Sequence, residues 1–244
     1  MSTLIKMDDY TPQARTYWWV TTALGMVALA ASLFGVSRLA PGLATVAVTG
    51  AVLAAIAGLM PATIPGTNTS VSTAEVFVFL LLLTVGPDAA VVAAGAEAMC
   101  ISFRTSKRWT SRLASPAMAA MAMWVSAQLY VGIAGTLPAT GSAVLATKIV
   151  LLFVVAAVYF SIGTLLIATL IKLKRSEPIR PLRIISHHAW LGLGYACAAA
   201  IAGLMQASFN GAMETPIALV AVLFTAALLA MLHLYCRLVV PRHS

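Results

Sequence analysis

Charged side chains are scarce in this chain. Lys, Arg, Asp and Glu make up 9% of its 244 residues, where a soluble domain carries about 25%. That scarcity excludes an ordinary soluble surface. Disorder is excluded as well, because 61% of the residues are hydrophobic and the mean hydropathy is +0.97, ample to bury a core. Alternation with a period of two residues is missing from the apolar runs, which are rich in Ala and Leu, so strands and a β-barrel are not expected. Cysteine is nearly absent. Cys100, Cys197 and Cys236 all lie in apolar segments and form no Cys-x-x-Cys pair, a pattern that reads as helix packing rather than redox or metal chemistry. A cleavable signal peptide is not evident. The start is polar, with Asp8 and Asp9, and no small-residue cleavage site follows promptly, so the first helix is expected to stay as an anchor. A phosphate-binding glycine loop, a His-Glu-x-x-His pair and a nucleophile elbow are all lacking, and the polar connections are too short for an enzyme domain. Neither an enzyme nor a cofactor is expected. Few aromatics interleave with the cations, so the net charge of +8 does not suggest nucleic acid.

What is present is a series of long apolar runs. Eight segments stand out, at 17–37, 43–60, 74–86, 88–103, 115–133, 143–171, 185–205 and 215–238. Most meet the roughly 20 residues needed to cross a hydrocarbon core about 30 Å thick. Turn residues separate them, including Pro41-Gly42, Pro61 to Gly66, Gly86-Pro87 and Asn210-Gly211. The expected fold is all-α: one polytopic membrane helix bundle over 1–244, with about eight transmembrane segments.

The cations then sort by side. With the N-terminus inside, the cytoplasmic side receives Lys6, Arg15, Arg104, Lys107, Arg108, Arg112, Lys172, Lys174, Arg175, Arg180, Arg183, Arg237 and Arg242. Only Arg38 and Lys148 remain outside, with Asp88 and Glu214. This agrees with the excess of Lys and Arg on cytoplasmic loops, and the inverse arrangement does not. Both termini are expected in the cytoplasm, and the membrane is expected to be a bacterial inner membrane.

Segments three and four form a short hairpin. Residues 74–86 reach only about 20 Å as a helix, so the Gly86-Pro87 turn is a candidate floor for an outward-facing pocket; local bilayer thinning would account for the length equally. Segment six is longer than the bilayer needs, and its end at Lys172-Leu173-Lys174-Arg175 is expected to project into the cytoplasm. Small residues recur at spacing four: Gly50, Ala54 and Gly58; Ala90, Ala94 and Ala98; Gly192, Ala196 and Ala200. Such faces let helices approach closely, within the bundle or across a homodimer seam.

Four groups of residues are candidates for chemistry. Glu75 and Glu97 lie inside the membrane, where an ionised carboxylate costs about 2–3 kcal/mol or more. They stand at similar distances from the Gly86-Pro87 turn, which puts them at similar depth in a hairpin, towards the cytoplasmic side. There they would share a proton, pair with Arg104 or hold a cation; alternatively Glu75 completes a capping box in Ser72-Thr73-Ala74-Glu75, and Glu97 anchors the basic loop. That loop carries Arg104, Lys107, Arg108 and Arg112 around Trp109, suited to anionic headgroups or to a soluble partner. His187, His188 and His233 raise haem or metal ligation, but adjacent histidines point to different helix faces, so no metal is expected. On the outer side Thr84, Asp88, Gln128, Lys148 and Glu214, with Tyr130, Gln206 and Asn210, form a candidate small-molecule site.

Ala74-Glu75-Val76-Phe77-Val78-Phe79-Leu80, then Gly86-Pro87, the basic loop 104–112 and Ser115-Pro116 together resemble the multi-helix membrane input domain at the N-terminus of some bacterial signalling proteins. In that family cytoplasmic diguanylate cyclase or HD-type phosphodiesterase domains follow the last helix. The Gly-Pro hairpin is also similar to the substrate-binding membrane subunits of energy-coupling-factor transporters, which have about six segments. The likeness covers 70–175 best. The chain departs from the first family by ending at Ser244 with no output domain after segment eight. The resemblance implies a sensory input module that relays a ligand or membrane signal to a cytoplasmic effector; the alternative is a small-molecule, vitamin-like transporter or its binding subunit.

Overall fold

A computed structural model describes residues 7, 9–60, 62–63, 70–71, 74–136 and 142–209. Among them are seven helices: α1 (Pro12–Ser37), α2 (Pro41–Gly58), α3 (Glu75–Thr84), α4 (Pro87–Thr105), α5 (Trp109–Ala134), α6 (Ser142–Lys174) and α7 (Pro181–Phe209). Two two-residue strands, β1 (Ala62–Thr63) and β2 (Ser70–Val71), pair antiparallel between α2 and α3, Ala62 opposite Val71. All-α architecture is therefore as expected. Five helices are long and apolar enough to cross a membrane, at Pro12–Ser37, Pro41–Gly58, Trp109–Ala134, Val150–Lys174 and Leu191–Phe209. Helices of this kind mark a membrane protein.

That result corrects the expectation of eight spans. α3 has ten residues, about 15 Å of helix, half of what a bilayer requires. α4 has nineteen residues but carries Asp88, Glu97 and Arg104. α1, α2, α3 and α5 all pack on it, and Ala89, Ala90, Val91, Ala93, Ala94 and Gly95 are buried. The faces that a helix buries against neighbours need small residues more than they need hydropathy. The expected eighth segment, 215–238, lies outside the described residues.

Helix boundaries follow local chemistry. Pro stands at the first turn of α1, α2 and α4, where its missing N–H costs nothing. Thr11 caps α1, its hydroxyl accepting from the Ala14 amide at 3.1 Å. Gly86 sits at φ 125° before α4, a conformation that requires glycine. α6 ends with Ser176 at φ 55°; Glu177 N–H donates to Lys172 O and Ser176 N–H to Leu173 O, the bond pair of a left-handed C-terminal cap.

Close packing depends on small residues. A Cβ at Gly25 would stand 2.0 Å from the Ala117 carbonyl oxygen, so α1 and α5 touch backbone to backbone. Pro116, buried just before this contact, leaves a carbonyl one turn back without its helical partner. Gly50 faces Leu81 of α3, and Gly58 faces the Glu97 backbone and Cγ of α4, so the expected small face of α2 serves packing within the bundle. Gly192 of α7 meets the Phe160 ring of α6.

Gly25→Ala should therefore lower stability by about 1–3 kcal/mol through overpacking. Gly42→Ala, where a Cβ meets nothing within 4 Å, should leave it unchanged or slightly raised. Thermal melting in detergent separates the two variants, and equal melting temperatures would contradict the close contact.

Candidate functional site

Two polar constructions stand out, one inside the bundle and one at its basic end. The interior one begins with Glu75 and Glu97, which are 8% and 4% exposed. Glu75 opens α3. Ser72 and Thr73 of the expected capping box lie outside the described residues; the first helical bonds run to Ala74 O, so Ala74 is the N-cap. With the helix starting at Glu75, the carboxylate accepts instead from its own backbone N–H and from the Tyr195 hydroxyl of α7. Tyr159 of α6 is buried at 7% exposure and feels both carboxylates, as does Tyr195. The two tyrosine rings meet edge to face at 5.6 Å, and Phe79 of α3 closes on Tyr159 at 6.2 Å. Four helices thus bring two acids and two phenols together. Glu75 and Glu97 thus act on the same two phenols.

The depth of the cluster follows from helix length. Tyr159 stands thirteen residues before Lys172, about 20 Å along α6. α3 therefore begins near the middle of the bundle. The Gly86-Pro87 turn, by contrast, is level with the last turn of α1, where Asp88 lies against the backbone of Gly35. The shortness of the hairpin is accommodated at the start of α3, not at the turn where the sequence places a pocket floor. Tyr159 and Tyr195 were not among the residues singled out from sequence. Their signal was available: a phenol in mid-span of an apolar helix needs a hydrogen-bond partner.

At the basic end, Asp9 ties three elements together. It pairs with Arg108, just before α5, and with Lys174 Nζ at the end of α6, at 2.5 Å. Hydrogen bonds from Lys174 and then Arg108 lower the Asp9 carboxyl to about 2. Lys174 also stands over the Tyr10 ring at 4.7 Å. Thr11 Oγ1 donates to Leu173 O at 2.9 Å, Tyr17 Oη to Leu166 O at 3.2 Å, and buried Trp18 Nε1 to Thr110 O at 3.0 Å. Arg112 lies over Phe103 and Trp109, at 4.8 and 5.5 Å, and donates to Ser106 O. Arg104 donates to Leu59 O at the end of α2. Lys172 pairs with Glu177 at 2.8 Å and holds that carboxyl below its usual range. The start of α1, the α4–α5 loop and the α6–α7 turn consequently share one face. Of the basic loop, Lys107 is exposed and has a purely surface position.

The residues of the expected outer site lie on several elements. Thr84 Oγ1 donates to Leu80 O of its own helix at 2.8 Å. Asp88 lies in the first turn of α4, where a carboxylate complements the helix dipole. Gln128 and Tyr130 are on α5, the first exposed and the second buried; Lys148 is partly buried on α6. Glu214 and Asn210 lie outside the described residues, as does His233; His187 and His188 fall in the first turns of α7. Two cavities, of about 570 and 230 Å³, are lined by Pro12, Thr16, Tyr17 and Leu173, and by apolar residues of α1, α2 and α4. None of the outer polar residues lines either. No set of three His, Cys, Asp or Glu suited to a metal occurs among the described residues.

Because the bound Asp9 value lies below that of a free carboxyl, the clasp contributes above the ordinary carboxylate range and is lost as pH falls towards about 2. Spin labels at Gln13→Cys and Lys107→Cys should give a narrow distance distribution at neutral pH that broadens on acidification. Asp9→Asn should be broad at every pH, with global stability changed by no more than about 1 kcal/mol. A narrow distribution in Asp9→Asn would show that the clasp does not hold these elements.

No family model, curated protein or solved structure matches the chain.

Proposed function

We propose that this chain is a signal-input module of a bacterial inner membrane, with both termini in the cytoplasm. The observation that carries the reading is the Asp9 clasp. It joins the start of α1, the α4–α5 loop and the end of α6, elements far apart in sequence, on the face that holds most of the cations. Lys and Arg of short loops stay on the cytoplasmic side, so this face is where an effector would read the bundle. A shift of one helix within the core changes the spacing of all three elements, because α1, α5 and α6 are bonded to one another next to the clasp. The resemblance of residues 70–175 to signalling input domains agrees with a cyclic-dinucleotide enzyme as the effector, in the same or a separate chain.

Expression of the chain in its host should change the cellular cyclic-dinucleotide level several-fold, and Asp9→Asn should abolish the change without loss of protein from the membrane. Equal levels with wild type, variant and empty vector would sink the reading.

A second reading, a small-molecule transporter or its binding subunit, is favoured by one observation: a half-length helix whose start presents a buried carboxylate at mid-depth. Broken or half-length helices place binding groups at the midplane in many transporters. Asp88 and Lys148, with Thr84, Gln128 and Glu214, would then line the outer approach. A deletion strain should lose uptake of at least one solute in a metabolite panel, restored by the wild-type chain and not by Glu75→Ala; uptake unchanged across the panel removes this reading.

A further inference from the structure

We infer that Glu75, Glu97, Tyr159 and Tyr195 form a proton-binding centre inside the bundle, in which Glu75 carries the exchangeable proton and its hydrogen bond to Tyr195 couples charge to the packing of α3 on α7.

The geometry supplies the argument. Two carboxyls sit in the interior at 8% and 4% exposure, and ionised carboxylates taken from water are costly. Two that act on the same neighbours make the second ionisation costlier still. The groups around Glu75 come from every helix packed on α3. α7 supplies the Tyr195 hydroxyl, α6 supplies Tyr159, and α4 supplies Glu97 with Cys100 beside it. α2 supplies a glycine face, Gly50 on Leu81 and Gly58 on Glu97, and has no ionisable residue. Arg104 is turned to the Leu59 carbonyl. Residues 59–74, which lead into α3, contain no ionisable side chain at all. Around Glu75 the described surroundings therefore offer phenol and amide dipoles, which stabilise a carboxyl in either state, and no cation that would lock it ionised.

The same surroundings turn proton loss into movement. α3 is the shortest of the described helices, ten residues long, starting at mid-depth with no side-chain cap. Its start is held by Glu75 to Tyr195 and by Phe79 on Tyr159. When the Glu75 proton passes to water, an ionised carboxylate is left in the interior, and the start of α3 must move toward water or admit it. Tyr195 packs on Phe160 at 5.4 Å, so the displacement is felt along α6, whose far end carries the Lys174 half of the clasp. The proton centre rests on the signal-input reading only for what the module reads; its chemistry is tested without any effector.

Infrared spectra of the full chain in lipid nanodiscs, recorded while pH is stepped, would test it. The expected result is a protonated-carboxyl C=O band at neutral pH that disappears at alkaline pH, is lost in Glu75→Gln, and moves to higher frequency in Tyr195→Phe, which removes the donor. Should Glu75→Gln fail to fold, Tyr195→Phe and Glu97→Gln report on the same band. Absence of the band in the wild type, or its persistence unshifted in all three variants, overturns the proposal. So does a sodium-dependent rise in melting temperature that Glu75→Gln abolishes, because the centre would then hold a cation. If the band behaves as expected while cyclic-dinucleotide levels ignore Asp9→Asn, the input reading fails and the proton centre stands.

Discussion

Backbone contact around α4 is the constraint on which the rest of this bundle depends. In hydrocarbon there is no water to drive helices together, so association relies on dispersion and on how near two backbones can come. α4 meets that demand with Ala89, Ala90, Ala93, Ala94 and Gly95, all buried, and α2 with Gly50 and Gly58. α1 and α5 repeat the device at Gly25 and Ala117. Once α4 is enclosed, polar groups become tolerable on it. Glu97 lies in a helix that meets protein on several sides, and Asp88 and Arg104 stand at its two ends, where the dipole favours each sign.

From this arrangement the two polar constructions follow. A short α3 can stand beside α4 and stop at mid-depth because α2, α6 and α7 complete the wall around its start. The acids then find phenols rather than lipid. At the other end, the cations that would repel one another are held by few acids: Asp9 serves Arg108 and Lys174, and Glu177 serves Lys172 and Arg175. Each exposed pair is weak alone. Their importance lies in which elements they join, since the same face also collects the Thr11, Tyr17 and Trp18 hydrogen bonds. Interior cluster and basic face are linked by α6, which contributes Tyr159 to one and Lys174 to the other. A helix of 33 residues is long enough to belong to both.

Much of the fold was legible in the sequence because the relevant physics is local along the chain. Runs of apolar residues form helices wherever they meet lipid or protein, and Pro, Gly and Thr11 mark their ends, so the seven described helices overlap the first seven apolar segments, with ends that differ by up to six residues. The alternation of basic loops likewise decided which helix ends lie together. The matching depth of Glu75 and Glu97 could be counted from the Gly86-Pro87 turn, since rise per residue is constant. Tertiary structure decided the rest. Whether α3 and α4 cross a membrane unaided depends on what surrounds them, which hydropathy does not record. The side on which Tyr159 and Tyr195 meet Glu75 depends on how α6 and α7 rotate about their own axes. The pairing of Asp9 with Arg108 and Lys174 depends on three chain ends arriving at one place, and no spacing in the sequence encodes a contact between residues about a hundred or more positions apart.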